Sequence, residues 1–291
     1  MSIPRVLILG CGFTGQRVAR ELLRQGVPVL CTNRTDNLAI PGATTLPLDV
    51  NNAATIARWR EALIPGLLVL YSIPSMKQGE EFTDRTPAIC HVLKNRPPTR
   101  VVYLSTIGVY GEARTVNEQT APAPKSEREL LRAEAERAVM EGPWSSLILR
   151  PAAIYGPGRG VHAAVRAGNF RVPPDGTRMT SRIHVDDLAK HAAWALFSDV
   201  QGAYPVADEE PCSSLQVAQR SAELLGIALP PAAPIDSLYE TRRADRRVDG
   251  SAIRRLLRIE LRHPSYRTGI PACLKEEAGT ASCSGTSADV Q

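Results

Sequence analysis

Six residues, Gly10-Cys11-Gly12-Phe13-Thr14-Gly15, carry glycine at the spacing G-x-G-x-x-G. They follow the apolar run Arg5–Leu9 directly and open a helical stretch from Thr14 to Arg24. In that setting each glycine has a task in phosphate chemistry. Gly10 allows a tight turn, Gly12 lets the backbone approach a pyrophosphate, and Gly15 lets the helix pack close to the strand. The helix start then offers free amides and the positive end of its dipole to the phosphates. A plain structural turn in an α/β protein would use the same glycines. The strand before and the helix after favour a dinucleotide, with Gly10, Gly12, Phe13, Thr14 and Gly15 as expected contacts. Ser72, at the end of the apolar run Leu67–Ser72, is expected at the same site.

The next strand bears on which dinucleotide. An Asp or Glu about 20 residues past the glycines holds the ribose hydroxyls of NAD. Here the run from Val27 ends Thr32-Asn33-Arg34, with no acid at its tip. A guanidinium there can hold a 2′-phosphate through charge-assisted hydrogen bonds. Asn33 and Arg34 therefore point to NADP, and Asp36, two residues on, keeps NAD possible.

These residues need a scaffold, and the first half of the chain supplies one. Apolar runs at Arg5–Leu9, Val27–Thr32, Leu67–Ser72, Arg100–Ser105 and Ser146–Arg150 alternate with helical stretches at Thr14–Arg24, Ala53–Leu63, Pro87–Lys94 and Glu127–Glu141. Continuous apolar strands separated by helices predict a parallel sheet covered on both faces. Ser126 with Glu129 forms a capping box at the start of the last of these helices. Beyond Pro151 the pattern loosens, with helices at His184–Phe197 and Ser214–Leu225. The fold predicted is α/β, a Rossmann-type doubly wound parallel sheet with a smaller C-terminal substrate lobe. Its core runs to about residue 160, the lobe from 160 to 270, and a disordered tail, rich in Ala, Gly, Ser and Thr, from 271 to 291.

Composition narrows the function classes. With 43% hydrophobic residues in 291, the chain reads as soluble and globular. No stretch approaches the ~18–20 apolar residues of a membrane span, and the N-terminus lacks the parts of a signal peptide. A cytoplasmic location without a membrane partner is expected. The six cysteines show no metal-ligand or disulfide rhythm, so neither a metal nor a disulfide framework is expected. The net charge of +5 lies wholly between Arg242 and Arg262, where eight arginines face three acids. The interleaved Ile253, Leu256, Leu257 and Ile259 are not aromatic and cannot stack on bases, so nucleic acid is not an expected partner.

Four further segments carry a family likeness. Asp49-Val50, Ser105-Thr106-Ile107-Gly108-Val109-Tyr110-Gly111, Arg150 to Gly158 (RPAAIYGPG) and Ile183 to Ala189 (IHVDDLA) occur in this order. Together they resemble the extended short-chain dehydrogenase/reductases of the NAD-dependent epimerase/dehydratase type, from the N-terminus to about Leu261. The resemblance implies that Asp49 and Val50 touch adenine and that the Thr106 hydroxyl bonds the reacting oxygen. It also implies that Arg150–Gly158 lies by nicotinamide and substrate, and it is the sole ground for a homodimer. A strand-end threonine satisfying backbone is the other reading of Thr106.

The departure lies in the catalytic pair. That family carries Y-x-x-x-K on a helix, phenol and amine one turn apart on one face. Pro124-Lys125-Ser126 and Ala135-Glu136 resemble its flanking anchors, and counting between them puts Arg128 at the Tyr and Arg132 at the Lys. Arginine stays protonated near neutral pH and cannot exchange a proton. The chain resembles an atypical subgroup that keeps the upstream Ser/Thr and lacks the pair. Tyr110 and Lys125 are the candidate replacements for the phenol, beside Thr106; His184 reads as a structural helix start. Arg128, Arg132 and Arg159 are candidate contacts to an anionic substrate, Arg128 and Arg132 alternatively a solvated helix face. Two functions follow. One is an NAD(P)-dependent oxidoreductase or epimerase/dehydratase-like enzyme acting on a small carbonyl, alcohol or nucleotide sugar. The other is a catalytically silent NAD(P)-binding sensor or scaffold.

Overall fold

The structure is a computed structural model that describes residues 6–35, 40–173, 176–234 and 245–284. Its centre is a seven-stranded sheet built from β1 (Val6–Leu9), β2 (Val29–Asn33), β3 (Thr44–Pro47), β4 (Leu68–Tyr71), β5 (Arg100–Leu104), β6 (Ser145–Pro151) and β7 (Gly202–Val206). The order is β3-β2-β1-β4-β5-β6-β7, and every pairing is parallel. The chain winds outward from β1 to β3, returns to β4, and winds the other way. Ligands of such sheets lie where the order reverses, at the carboxyl ends of the strands, which here is the gap between β1 and β4.

Burial on both faces explains why the strands read as unbroken apolar runs. Val6 and Ile8 pack into one layer with Val18, Ala19 and Leu22 of α1 (Phe13–Arg24). Leu7 and Leu9 face the opposite layer. There they meet Trp59 of α2 (Ala53–Glu61), Ile89 and Leu93 of α3 (Thr86–Leu93) and Ala135 and Val139 of α4 (Glu127–Met140). The alternation of one β-strand thus feeds two cores. The predicted capping box opens α4: the Glu129 carboxylate accepts the backbone N–H groups of Ser126 and Lys125 at 3.0 and 2.8 Å.

The second half of the chain is shared between sheet and lobe. α5 (Val161–Arg166) and α7 (Ser214–Leu225) pack against each other away from the sheet around Val165, Phe170 and Ala218. By contrast α6 (Val185–Leu196) and α8 (Ser251–Leu257) join the layer of α1. The expected boundary near residue 160 is therefore crossed: α6, β7 and α8 complete the core from beyond it.

The tail expectation needs a correction. α9 runs Tyr266–Ser284, straight through the start of the supposed disordered segment. Tyr266, Ile270 and Cys273 pack with Tyr155 and Val217, and Glu276 and Glu277 form ion pairs with Arg17 and Arg166. Composition pointed to the small residues and missed the three-to-four-residue spacing of these anchors. Residues 285–291 lie outside the described residues.

Asp208, just beyond β7, is 2% exposed and neither carboxylate oxygen has a well-aligned donor. Burial pushes its pKa up to about 8 against the attraction of Arg182. The folded protein therefore keeps a proton that the unfolded chain has released above its ordinary carboxylate range. Stability from this group is full at low pH and falls as pH rises toward 8, by at most about 1.4 kcal/mol per pH unit. In urea unfolding at pH 5 and pH 8, Asp208→Asn is expected to shrink the loss that the wild type shows between the two.

Candidate functional site

The glycine turn sits at the carboxyl end of β1 and closes on itself. Gly10 has φ +85°, and a side chain there would meet the backbone of Ser72 and Ile73 at 2.9 Å. The Gly10 N–H donates to Thr32 Oγ1 at 3.1 Å, and the Cys11 N–H to the Thr32 carbonyl at 2.7 Å. β1, β2 and β4 are thereby drawn together at the reversal point. At Gly15 a Cβ would lie 2.7 Å from the Gly10 carbonyl oxygen, so helix and turn touch there. At Gly12 a Cβ would meet nothing within 4 Å: the backbone faces open space. Gly12 also caps α1 without any side-chain hydrogen bond, and no acidic residue stands in the first turn. The amides of Phe13, Thr14 and Gly15 thus start a helix whose positive end is left for an anion. The three glycines divide the work as the motif requires, and the cradle fits a dinucleotide pyrophosphate.

At the tip of β2 the Asn33 side chain accepts the Arg34 N–H at 2.9 Å, and the Arg34 side chain is exposed. Asp36 lies outside the described residues. At the end of β3 the Asp49 carboxylate accepts the Asn51 N–H at 2.9 Å, while Val50 is buried. Ser72 is half-buried just past β4, its N–H on the Leu9 carbonyl at 2.8 Å. Every expected cofactor contact thus lies along one edge of the sheet.

The candidate catalytic residues separate. Thr106 follows β5 on that same edge and is half-buried. Its Oγ1 accepts the Gly108 N–H at 3.1 Å, capping a short 3₁₀ turn at Ile107–Tyr110, and the hydroxyl keeps its own proton to donate. Tyr110 is 0% exposed, and Arg150 Nη1 donates to its hydroxyl at 3.0 Å. Burial raises its pKa. Tyr110, expected as a candidate acid/base, thus packs in the core with Val109 and Val116, its hydroxyl on Arg150. Lys125 is exposed and paired with Glu112 at 2.7 Å. Arg128 is exposed on α4. Arg132 is neither on a solvated face nor open to substrate: it is 7% exposed, bonded to Asp84 at 3.1 Å and to the Tyr103 hydroxyl at 2.5 Å. Asp84 in turn accepts the Thr86 N–H and hydroxyl at the start of α3. Arg132, which the count from sequence sets at the family's Lys, is a strut between α4, β5 and α3.

His184 ends the strand before α6, and its Nδ1 accepts the Asp186 N–H at 3.2 Å, as a helix cap does. Burial beside His263 pushes its pKa down to about 3, so it stays neutral. His184, Asp186 and His263 bring ligand-capable atoms within 4.8 Å of one another. Yet His184 Nδ1 is committed to its cap and Asp186 is paired with Arg17 at 2.7 Å, so these groups serve the fold. Cys11, Cys31, Cys90, Cys212 and Cys273 are buried free thiols.

Residues that sequence reasoning had not assigned hold the Thr106 loop. Glu136 of α4 accepts from Ser105 Oγ at 2.5 Å and from Arg150 at 2.6 and 3.0 Å. Arg246 reaches in from the second half of the chain and donates to the carbonyls of Ile107 (2.6 Å), Ala113 (2.8 Å) and Gly111. Glu136 and Arg150 were visible only as motif letters, and Arg246 only as one arginine in a basic segment. Glu136→Ala leaves the Arg150 guanidinium buried and unpaired. It is expected to lower stability in chemical denaturation by about 3–5 kcal/mol, whereas Glu112→Ala, at the solvent-exposed Lys125 pair, is expected to leave stability nearly unchanged.

Comparison with known proteins places this geometry. Residues 6–207 match the NAD dependent epimerase/dehydratase family. A 3-diazoavenalumate denitrifying reductase from a Streptomyces species is 35% identical over 108 residues, 35% of this chain and 36% of that protein. The match spans about a third of that relative's length. A conserved protein of unknown function from Silicibacter pomeroyi has the same fold, with TM-score 0.78, 29% identity, and coverage of 94% of this chain and 99% of the other. The Bordetella bronchiseptica enzyme WbmG, solved in complex with NAD and UDP, superposes with TM-score 0.76 at 15% identity, over 94% of each chain. No helix among the described residues is long and apolar enough to cross a membrane. With its open glycine cradle at the switch point of an all-parallel sheet, the chain belongs to the NAD-dependent epimerase/dehydratase family.

Proposed function

We propose that this chain is an NADP-dependent oxidoreductase that moves hydride between the nicotinamide and a carbonyl or alcohol carbon of a small molecule. The observation that carries the reading is Thr106. It holds the one hydroxyl of the candidate set that stands half-buried on the same edge of the sheet as the glycine cradle with a proton left to give. The cofactor supplies the hydride chemistry; the protein supplies orientation and polarisation. In the reducing direction the carbonyl carbon gains hydride while negative charge grows on its oxygen. A hydrogen bond from Thr106 Oγ1 meets that charge, and water delivers the proton that completes the alcohol. The reducing direction is supported by the denitrifying reductase among the relatives. A nucleotide sugar as substrate is supported by the UDP complex of WbmG. The NADP preference rests on exposed Arg34 beside neutral Asn33.

The second reading, a silent dinucleotide sensor, is favoured by the two arginines at the catalytic pair, one exposed and one locked to Asp84. Turnover separates the two. Purified protein is expected to oxidise NADPH with an aldehyde, ketone or nucleotide sugar. Thr106→Ala should lower kcat on the order of 10²–10³-fold, the usual cost of one oxyanion donor, while Thr106→Ser retains most activity. Tight binding with no turnover on any of these substrates would establish the sensor instead.

Binding tests the cofactor separately. Wild type is expected to bind NADPH more tightly than NADH, and Arg34→Ala to erase the difference; tighter NADH binding would overturn the NADP assignment. Gly12→Ala should melt at the wild-type temperature yet bind dinucleotide poorly, because its methyl projects into the cradle. Gly15→Ala should lose stability, since its methyl meets the Gly10 carbonyl.

A further inference from the structure

Phe13, the first residue of α1, has two guanidinium groups over its ring. Arg17 Cζ lies 5.6 Å from the ring centroid and Arg159 Cζ 5.2 Å. Two like charges beside one side chain repel unless each is neutralised. Arg17 is neutralised by Asp186 at 2.7 Å and Glu276 at 3.1 Å. Arg159 is exposed and forms no ion pair among the described residues. A cation is thus held next to the open helix start, beside a second cation, without an anion of its own.

Its placement is fixed from the backbone outward. Gly156 and Arg159 exchange two backbone hydrogen bonds of 2.9 Å across a tight turn, with Gly158 at φ +72° at its tip. That is the positive φ a type II turn demands at its third residue, after proline at the second, and Pro157 stands there. Glu277 of α9 accepts the Gly158 N–H at 2.5 Å and also meets His162 at 3.2 Å, tying the turn to the lobe. At Gly156 a Cβ would come within 3.0 Å of Phe13 Cζ and 2.4 Å of Val185, so the turn is seated directly against the glycine loop. The lever that carries Arg159 is therefore rigid, and only the side chain is free to move.

We infer that Arg159 is the cofactor's pyrophosphate clamp: its guanidinium, parked on Phe13, closes over the phosphates held by the amides at the start of α1. This gives Arg159 a cofactor role in place of the substrate contact expected from sequence, and it rests on the dinucleotide reading above. The guanidinium fork matches paired phosphate oxygens, and the neighbouring Arg17 adds field without being released from its carboxylates. The Phe13 ring offers the guanidinium a cation–π resting place.

The test compares ligands that do and do not carry the pyrophosphate. NADPH, NADH and ADP-ribose all contain it; 2′-AMP carries only the phosphate that Arg34 is expected to hold. Dissociation constants are measured calorimetrically for wild type, Arg159→Met, Arg159→Lys and Arg34→Ala, with melting temperatures as a check on folding. Arg159→Met, which keeps an aliphatic stem on Phe13, is expected to weaken NADPH, NADH and ADP-ribose about 10–100-fold, in line with a lost charge-assisted hydrogen bond. It should leave 2′-AMP within twofold, and Arg159→Lys should recover most of the loss. Unchanged ADP-ribose affinity in Arg159→Met overturns the clamp. So does an equal loss for 2′-AMP, which would report a disturbed loop, or a rise in substrate KM alone. An unchanged NADPH-to-NADH ratio in Arg34→Ala with the Arg159 pattern intact overturns the NADP preference and leaves the clamp standing. Wild type that binds none of the four overturns both.

Discussion

Glu136 is a carboxylate buried in the middle of the protein, and the ends of two strands converge on it. Ser105 at the end of β5 donates to it, Arg150 of β6 grips it with two nitrogens, and the same Arg150 reaches on to the Tyr110 hydroxyl. Its own helix, α4, is thereby fixed against both strands. Desolvating a carboxylate and a guanidinium costs several kcal/mol each, and the attraction offsets this only where the remaining hydrogen-bonding positions are filled. Here they are filled, by a serine on one side and a phenol on the other. Thr106 is the next residue after Ser105, so its position is set by how tightly this network closes. Arg246 secures the far side of the same loop through three main-chain carbonyls. A half-exposed hydroxyl is thus held from behind by charge and from below by backbone, the kind of support that keeps a donor aimed while charge develops on a substrate.

The lobe and the core are joined by the same logic at the other end of the site. Arg17 of α1 bonds Asp186 of α6 and Glu276 of α9, and Glu277, one residue on, holds Gly158 and Arg166. Asp187 accepts the N–H groups of Arg262 and His263 at 2.7 and 2.9 Å, which sets where the chain enters α9. The last helix therefore spans the glycine-loop helix and the turn that carries Arg159. Carboxylates from distant parts of the chain do this work because acceptors with two oxygens can serve a backbone amide and a guanidinium together.

What was legible in the sequence was what is local. The glycine loop declares itself because turn, close approach and helix start are all decided within six residues. The capping box at Ser126 and Glu129 and the fully buried strands β1, β4 and β5 are legible for the same reason. β3 was not, since Thr44–Pro47 is half-exposed and carries no apolar alternation. α9 was hidden by its small residues and by Pro271, although its anchors Tyr266, Ile270 and Cys273 meet the core at helical spacing. Tyr110 and Arg132 could not be placed by reading along the chain. Whether a phenol faces substrate or core, and whether a guanidinium finds water or Asp84, depends on partners forty or forty-eight residues away.

Arg132 is a cation that the fold has turned to a structural use. It is drawn inward, to Asp84 and the Tyr103 hydroxyl, and joins α4 to the start of α3. Arg128, one turn earlier, is exposed. Neither guanidinium can give up a proton near neutral pH, and Arg132 braces α4 against β5 and α3. In the function proposed above, the polarising group is Thr106 at the strand end and the proton comes from water. A hydroxyl can stabilise charge on an oxygen without itself titrating, so turnover that depends on Thr106 should lack the ionisation of a tyrosine acid in its pH profile.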